Sequence, residues 1–297
     1  MLKAWISAMR LRTLPLAASC IFTGSALAWR EHDAPWIIFA LALTTAWALQ
    51  ILSNLANDYG DYFSGADNDG RIGPARAVQS GVISPAAMKR GIILTAAIAF
   101  VAGILLLWVA CFQSGRGMTG LVFLVIGLIS IAAAIRYTAG KNPYGYRGLG
   151  DVAVFLFFGI AGVLGTSLMF TPSFMTAWLL PATGIGCFSV AVLHLNNMRD
   201  RENDARSGKI TIAVRLGKPG AIRYHFILLG AGWLSLMVFA LLKENYYLML
   251  SWLPMMLVMA LHLRFVLHNH VDAKLDGELK KIALSTFLAA VVLFVFR

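Results

Sequence analysis

Residues 35–69 read PWIIFALALTTAWALQILSNLANDYGDYFSGADND, and the join inside this stretch decides the fold. From 35 to 56 it is apolar and long enough for a helix to cross the roughly 30 Å hydrocarbon core of a bilayer. With no Pro or loop signal between them, the apolar run then meets Asn57, Asp58, Asp61, Asp67 and Asp69. The same join recurs once, where the apolar segment 174–197 leads into Asn196-Asn197-Met198-Arg199-Asp200-Arg201-Glu202-Asn203-Asp204. Membrane helices that end in carboxylates are the feature to be explained.

The rest of the chain agrees with a membrane body. It is 59% hydrophobic and 13% charged, with mean hydropathy +0.74, against about 45–50% and 25% in soluble domains. A soluble globule is excluded. Nine stretches qualify as spans: 13–29, 35–56, 88–112, 118–139, 151–170, 174–197, 222–242, 246–266 and 279–296. Lys3, Arg10 and Arg12 before the first run, with Ala26-Leu27-Ala28 at its end, also fit a signal peptide, but eight further spans favour a retained anchor. With the amino terminus in the cytoplasm, 21 of the 25 Lys and Arg fall on inner segments, leaving Arg30, Arg116, Lys243 and Arg297 outside. The net charge of +11 therefore reports orientation rather than a nucleic-acid partner. Trp29, Trp36, Trp108, Trp178 and Trp252 fall near outer ends, where an aromatic belt belongs. Cys20, Cys111 and Cys187 lie in apolar runs and read as core residues. The expectation is an all-α polytopic membrane protein of nine transmembrane helices, N-in and C-out, forming one integral-membrane domain over 1–297.

Positive-inside sorting gives no reason for acids to gather on the same face, yet 11 of 14 do. On a continued helix Asn57 and Asp61 share a face, and so do Asn196, Asp200 and Asp204. Carboxylates at that spacing, about 6 Å apart, repel by roughly 2.8 kcal/mol at an effective dielectric of about 20. A cation should resolve this. Carboxylate and amide oxygens without nearby Cys or His suit Mg2+, with Asn57, Asp58, Asp61, Asp67, Asn196, Asn197, Asp200 and Asp204 as candidate ligands. Arg71, Arg76, Arg206, Lys209 and Lys141 could hold a diphosphate. Solvated, mutually neutralising loop charges would explain one such cluster more readily than two. Asn57/Asn196, Asp61/Asp200, Arg76/Arg215 and Gly81/Gly220 share an offset of 139, which suggests a parallel duplication.

A secondary transporter would carry ionisable groups near mid-span, and these spans are clean there. Asp69-Gly70 followed by Ala75-Arg76 imitates an alcohol phosphatidyltransferase, but the spacing is too long. His194 could approach the site from the sixth span, although a packed histidine is commoner. His262, His268 and His270 lie by a solvated loop with no acidic cage.

With both clusters in place, the chain resembles the UbiA superfamily of intramembrane aromatic prenyltransferases over essentially its whole length. The first family motif, Asn-Asp-x-x-Asp-x-x-x-Asp, is met by Asn57, Asp58 and Asp61, with Gly65 where the third Asp would stand. Asp67 is the candidate replacement. Asp200, Arg201, Glu202, Asp204 and Gly208 match the second motif, Tyr137 and Lys141 the Tyr-x-x-x-Lys, and Arg76 to Gly81 the basic loop. Arg12-Thr13-Leu14-Pro15, Leu52 to Asp61, Arg71-Ile72-Gly73-Pro74, Pro143-Tyr144-Gly145-Tyr146 and Gly148 to Asp151 are similar to the menaquinone-pathway branch. The resemblance implies a helical bundle with a cytoplasmic active-site cap in a bacterial inner membrane. It also implies two Mg2+ ions and transfer of a polyprenyl group from its diphosphate to 1,4-dihydroxy-2-naphthoate, with 4-hydroxybenzoate as the alternative acceptor. On that reading Asp61, Asp200, Lys141 and Asp151 act at the reaction, Asp151 on a ring hydroxyl. Tyr137, Tyr144 and Tyr146 line the site, and the lipid-soluble tail runs into the bundle or between helices.

Overall fold

A computed structural model of the chain describes residues 1–29, 36–68 and 72–296, and its regular structure is all helical among them. The helices are α1 (Leu2–Met9), α2 (Leu14–Trp29), α3 (Trp36–Phe63), α4 (Pro85–Phe112), α5 (Gly117–Arg136) and α6 (Gly150–Phe170). They continue as α7 (Leu179–Arg199), α8 (Arg201–Arg206), α9 (Ile212–Leu242), α10 (Tyr246–Ser251), α11 (Leu253–His268) and α12 (Leu275–Val295). Starts and stops follow local chemistry. Ser84 caps α4 by accepting from the Ala87 N–H at 3.2 Å, with Pro85 in the first turn. Thr211 and Asn245 cap α9 and α10 in the same way. Arg10, at φ 48°, turns the chain between α1 and α2. Gly217 takes φ 65°, and with Pro219 it breaks α9 near its start.

Seven helical runs among the described residues are long and apolar enough to cross a membrane: Leu2–Trp29, α3, α4, α5, α6, Thr176–Arg199 and α9. The stretch expected at 246–266 is divided into α10 and α11 at Trp252 and Pro254, and α11 alone is about 24 Å long. The last stretch forms α12, whose first turns carry Glu278, Lys280 and Lys281.

The two halves pack differently. α2, α6, α7, α9, α11 and α12 share the main core around Trp178, Phe188, Leu195, Leu229 and Trp252. Close approach there needs glycine: a Cβ on Gly24 of α2 would lie 2.3 Å from the Val163 carbonyl of α6, and one on Gly159 of α6 would lie 2.7 Å from the Ala182 carbonyl of α7. α4 and α5 instead present most of their apolar side chains outward. Among the expected belt residues, Trp36 and Trp108 are exposed, but Trp178 and Trp252 are core, the latter donating to the Ala289 carbonyl at 2.9 Å. The expectation for His262 is also overturned. It is buried, accepts from or donates to His225 at 2.8 Å, and bonds Glu278 at 2.7 Å, because α9, α11 and α12 bring those side chains together from distant sequence. The three cysteines are buried and free, as expected of core residues.

Candidate active site

The two acidic clusters meet at one end of the bundle. α3 carries Asn57, Asp58 and Asp61 on its last two turns. Gly60 lets the segment after α5 come close, since a Cβ there would lie 2.6 Å from the Thr138 carbonyl. Thr138 in turn bonds the Ala56 carbonyl and the Asn57 amide oxygen, both at 3.1 Å. Asp58 points elsewhere: its two oxygens accept the N–H groups of Ala77 and Val78 at 3.1 Å each, bracing the loop that follows. Asp61 accepts the Tyr146 hydroxyl at 2.8 Å and lies 3.8 Å from Arg76, which also reaches Asp67 at 3.4 Å. Asp61, Asp67 and Arg76 are all buried.

The second cluster comes from the end of α7 and from α8. Arg199, 1% exposed, donates to Asp200 at 2.6 and 3.1 Å, to Asn196 at 2.6 Å, and to Asp276 of α12. Asp276 also binds Arg12 at 3.0 Å. Asp204 is buried 3.6 Å from Lys209, whose ammonium stands over the Tyr146 ring at 5.6 Å. Burial raises the Asp204 carboxyl to about 6 against the pull of Lys209, with Asp200 and Asp61 adding to the rise. For Lys209, burial works against the charge, but Asp61 and Asp204 hold it well above the usual lysine range. The Tyr146 hydroxyl is raised by burial and by Asp61.

Backbone groups stitch the clusters together. The Gly73 N–H donates to Asp200 at 3.2 Å, and Asn203 donates to the Ala66 carbonyl at 2.9 Å. Below them opens a cavity of about 400 Å³. Its polar end is lined by Asn57, Asp61, Arg76, Tyr137, Tyr144, Asn196, Asn197 and Lys209, and next by Asn54, Gln50 and Thr13, which bond one another at 3.0–3.4 Å. The rest is apolar and runs down between α2, α3, α4, α5 and α6 as far as Ala42, about 28 Å along α3 from Asp61. At that far end Ile21, Leu106, Leu107 and Met169 form a buried cluster. Arg116 ties it off by donating to the carbonyls of Ala110, Leu168 and Met169.

Other expected residues are not on the cavity wall: Asp58 and Asp200 are off it, and Asp67, Tyr146 and Asp204 stand one contact behind it, through Arg76, Asp61 and Lys209. Lys141 is exposed on its loop, and Arg206 is exposed and pairs with Glu202 at 3.8 Å. Asp151 is buried with its carboxylate 3.9 Å from His194 Nδ1, and His194 Nε2 bonds the Ala221 carbonyl at 3.0 Å. Arg71 and Asp69 lie outside the described residues. The sequence reading missed Arg199, Asn203, Gln50, Asn54 and Thr13. For Gln50 and Asn54 the available signal was two amides one to three turns before the acidic cluster on one helix; Thr13, far away in sequence, carried none.

The family model for the UbiA prenyltransferase family matches residues 17–293. The chain belongs to this family. It is 46% identical to "1,4-dihydroxy-2-naphthoate octaprenyltransferase" of Escherichia coli (strain K12), over 80% of this chain and 77% of that protein. It is 40% identical to the protein of the same name from Haemophilus influenzae, over 97% and 93%. Among solved structures, a UbiA homolog from Aeropyrum pernix K1 without ligand superposes with a TM-score of 0.67 at 16% identity, covering 97% of each chain. A UbiA homolog from Archaeoglobus fulgidus bound to DMAPP and Mg2+ gives 0.59 at 14%, covering 99% of this chain and 98% of that one. The protein is a UbiA-fold, multi-pass membrane prenyltransferase.

Proposed function

We propose that this prenyltransferase joins a polyprenyl chain to 1,4-dihydroxy-2-naphthoate, releasing diphosphate and CO2 and giving demethylmenaquinol for menaquinone biosynthesis. The observation that carries the reading is the convergence of both motifs, through Asn57 and Asp61 and through Asn196 and Asn197, on the polar mouth of a deep apolar cavity, in a chain so close to the two named naphthoate enzymes. The nine-span, N-in and C-out arrangement is retained, with α10–α11 and α12 as the last two crossings and the acidic end in the cytoplasm of a bacterial inner membrane. The whole chain then forms one catalytic unit.

The donor set fits Mg2+. Among the described residues no three carboxylates or histidines are already gathered for a metal, but every candidate oxygen is hard, and Asp204 Oδ2 is buried without a hydrogen-bond partner. Asn57, Asp61 and Asp67 would hold one ion, and Asn196, Asn197, Asp200 and Asp204 a second. Asp58 is assigned to the loop instead. Bound Mg2+ would neutralise the diphosphate and favour its departure. Arg76 and Lys209 face the same space and would take up the leaving charge. Tyr137 and Tyr144 present rings to the allylic carbon, while Thr13, Gln50 and Asn54 would orient the acceptor hydroxyls. The stitched loops keep water from the allylic cation.

The new bond forms between the allylic carbon and the carboxyl-bearing ring carbon, and the C–O bond to diphosphate breaks. The carboxylate then leaves as CO2, and its bonding pair restores the aromatic ring. No proton is released overall, so the reaction does not require Asp151 as a base. The test is purified protein in liposomes with octaprenyl diphosphate, the naphthoate and Mg2+. CO2 and prenylated naphthoquinol are expected in equal amounts, while turnover with 4-hydroxybenzoate alone would overturn the assignment.

A further inference from the structure

Mid-span glycines weaken a helix relative to alanine, and in membranes they are usually explained by close packing. Gly24, Gly60, Gly159 and Gly232 have that explanation, since a Cβ on each would lie within 2.7 Å of a neighbour. Two others do not. A Cβ on Gly127 of α5 would meet nothing within 4 Å, and one on Gly103 of α4 would meet only the Thr45 methyl at 3.8 Å. Both residues line the apolar part of the cavity. The space beside each is thus cavity, kept open by the missing side chain.

They lie at one depth: across the turn between α4 and α5, Gly103 stands nine residues before Phe112 and Gly127 ten after Gly117, and one turn further along Leu106, Leu107, Phe123 and Leu124 share one cluster. Gly103 stands level with Thr45, about 24 Å along α3 from Asp61. We propose that Gly127 and Gly103 together form one width gauge of the tail channel, and that it determines how long a prenyl chain the enzyme accepts. This rests on the reading that the cavity holds the prenyl tail. A dimethylallyl group and a geranylgeranyl chain end short of the gauge, and an octaprenyl chain passes it.

The experiment compares dimethylallyl, geranylgeranyl and octaprenyl diphosphates in wild type, Gly127→Leu, Gly103→Leu and Gly230→Leu. Gly230 also has open space beside it, but it lies on the exposed side of α9 away from the cavity. Turnover is measured with the naphthoate and, separately, the rise in Tm on adding each diphosphate with Mg2+ and no acceptor. That second readout survives a wrong acceptor assignment. Gly127→Leu and Gly103→Leu are each expected to lower octaprenyl relative to the two shorter chains by about tenfold or more, and Gly230→Leu to change no ratio. Equal loss with all three diphosphates, or unchanged ratios in both cavity variants, overturns the proposal. If a leucine variant does not fold, Gly127→Ala and Gly103→Ala, which favour the helix, decide by smaller shifts in the same direction. Ratios that shift as expected by Tm but without naphthoate turnover would sink the acceptor assignment and leave the gauge standing.

Discussion

Arg199 and Asp200 are neighbours in the chain and in space, and the pair shows how a buried charge is held at this site. Arg199 bonds Asp200, Asn196 and Asp276 together, so Arg199→Met should take the guanidinium away from buried Asp200, while Asp276 keeps Arg12, and destabilise the protein by about 3 kcal/mol, read as a lower Tm in detergent. Asp200→Asn keeps the shape but loses the charge, and at least about a 100-fold drop in kcat is expected with folded protein retained. Asp151→Asn should stay within about threefold of wild type, because the Asp151 carboxylate faces His194 and the balanced reaction sheds no proton. Asp204 gives a pH dependence. Its folded carboxyl, at about 6, is above the ordinary value of 3.8, so this group favours the metal-free fold below about pH 4, and that contribution is lost as pH rises through 6. On the proposed site assignment, Mg2+ would compete with the same proton. The Tm increment on adding Mg2+ should therefore be larger at pH 7.5 than at pH 5.5, and Asp204→Asn should flatten the difference. Sequence spacing was enough to mark Asp61, Asp200 and Asp204. It could not show that Asp58 turns to a loop or that Lys141 stays outside, because those outcomes depend on contacts with residues 77–78 and on the path of the loop after α5.

Elements were legible where one physical rule decides them. α4 to α6 follow from uninterrupted apolar length, with ends within three residues of the apolar stretches, whereas α3 continues seven residues past 56, through the acidic cluster. α9 was marked ten residues short, since Arg215, Lys218 and Pro219 look like loop, yet a capped helical turn precedes the break at Gly217. Trp178 and Trp252 were misread as belt residues for a related reason: proximity to a span end says nothing about which face of the helix packs inward. The loop after α3 has no regular structure to support it and depends on Asp58. Asp58→Ala would leave two buried N–H groups without acceptors, at a cost of about 1.5–3 kcal/mol each. The expected outcome is faster proteolytic cleavage within residues 72–84 than in wild type, with the membrane helices intact on a gel.

At the scale of the whole molecule, apolar length gave the class and charge asymmetry an expected orientation, whereas the packing of α11 and α12 into the main core involves the His225, His262 and Glu278 contacts, which no local pattern announces. Orientation is open to direct measurement. With the three native cysteines buried, an impermeant maleimide should label Lys243→Cys in intact cells and Lys141→Cys only after permeabilisation. The cavity is bounded by helices from both halves, and the acidic loops are sewn across them by Gly73 to Asp200 and by Ala66 to Asn203. Biosynthesis adds a time axis to those two bonds. When residues 58–81 leave the ribosome, their partners near residue 200 have not been made, so the first motif must wait, unassembled, while four further spans are inserted. Separate fragments ending and starting in the loop between α5 and α6, expressed together, should therefore recover activity that neither has alone.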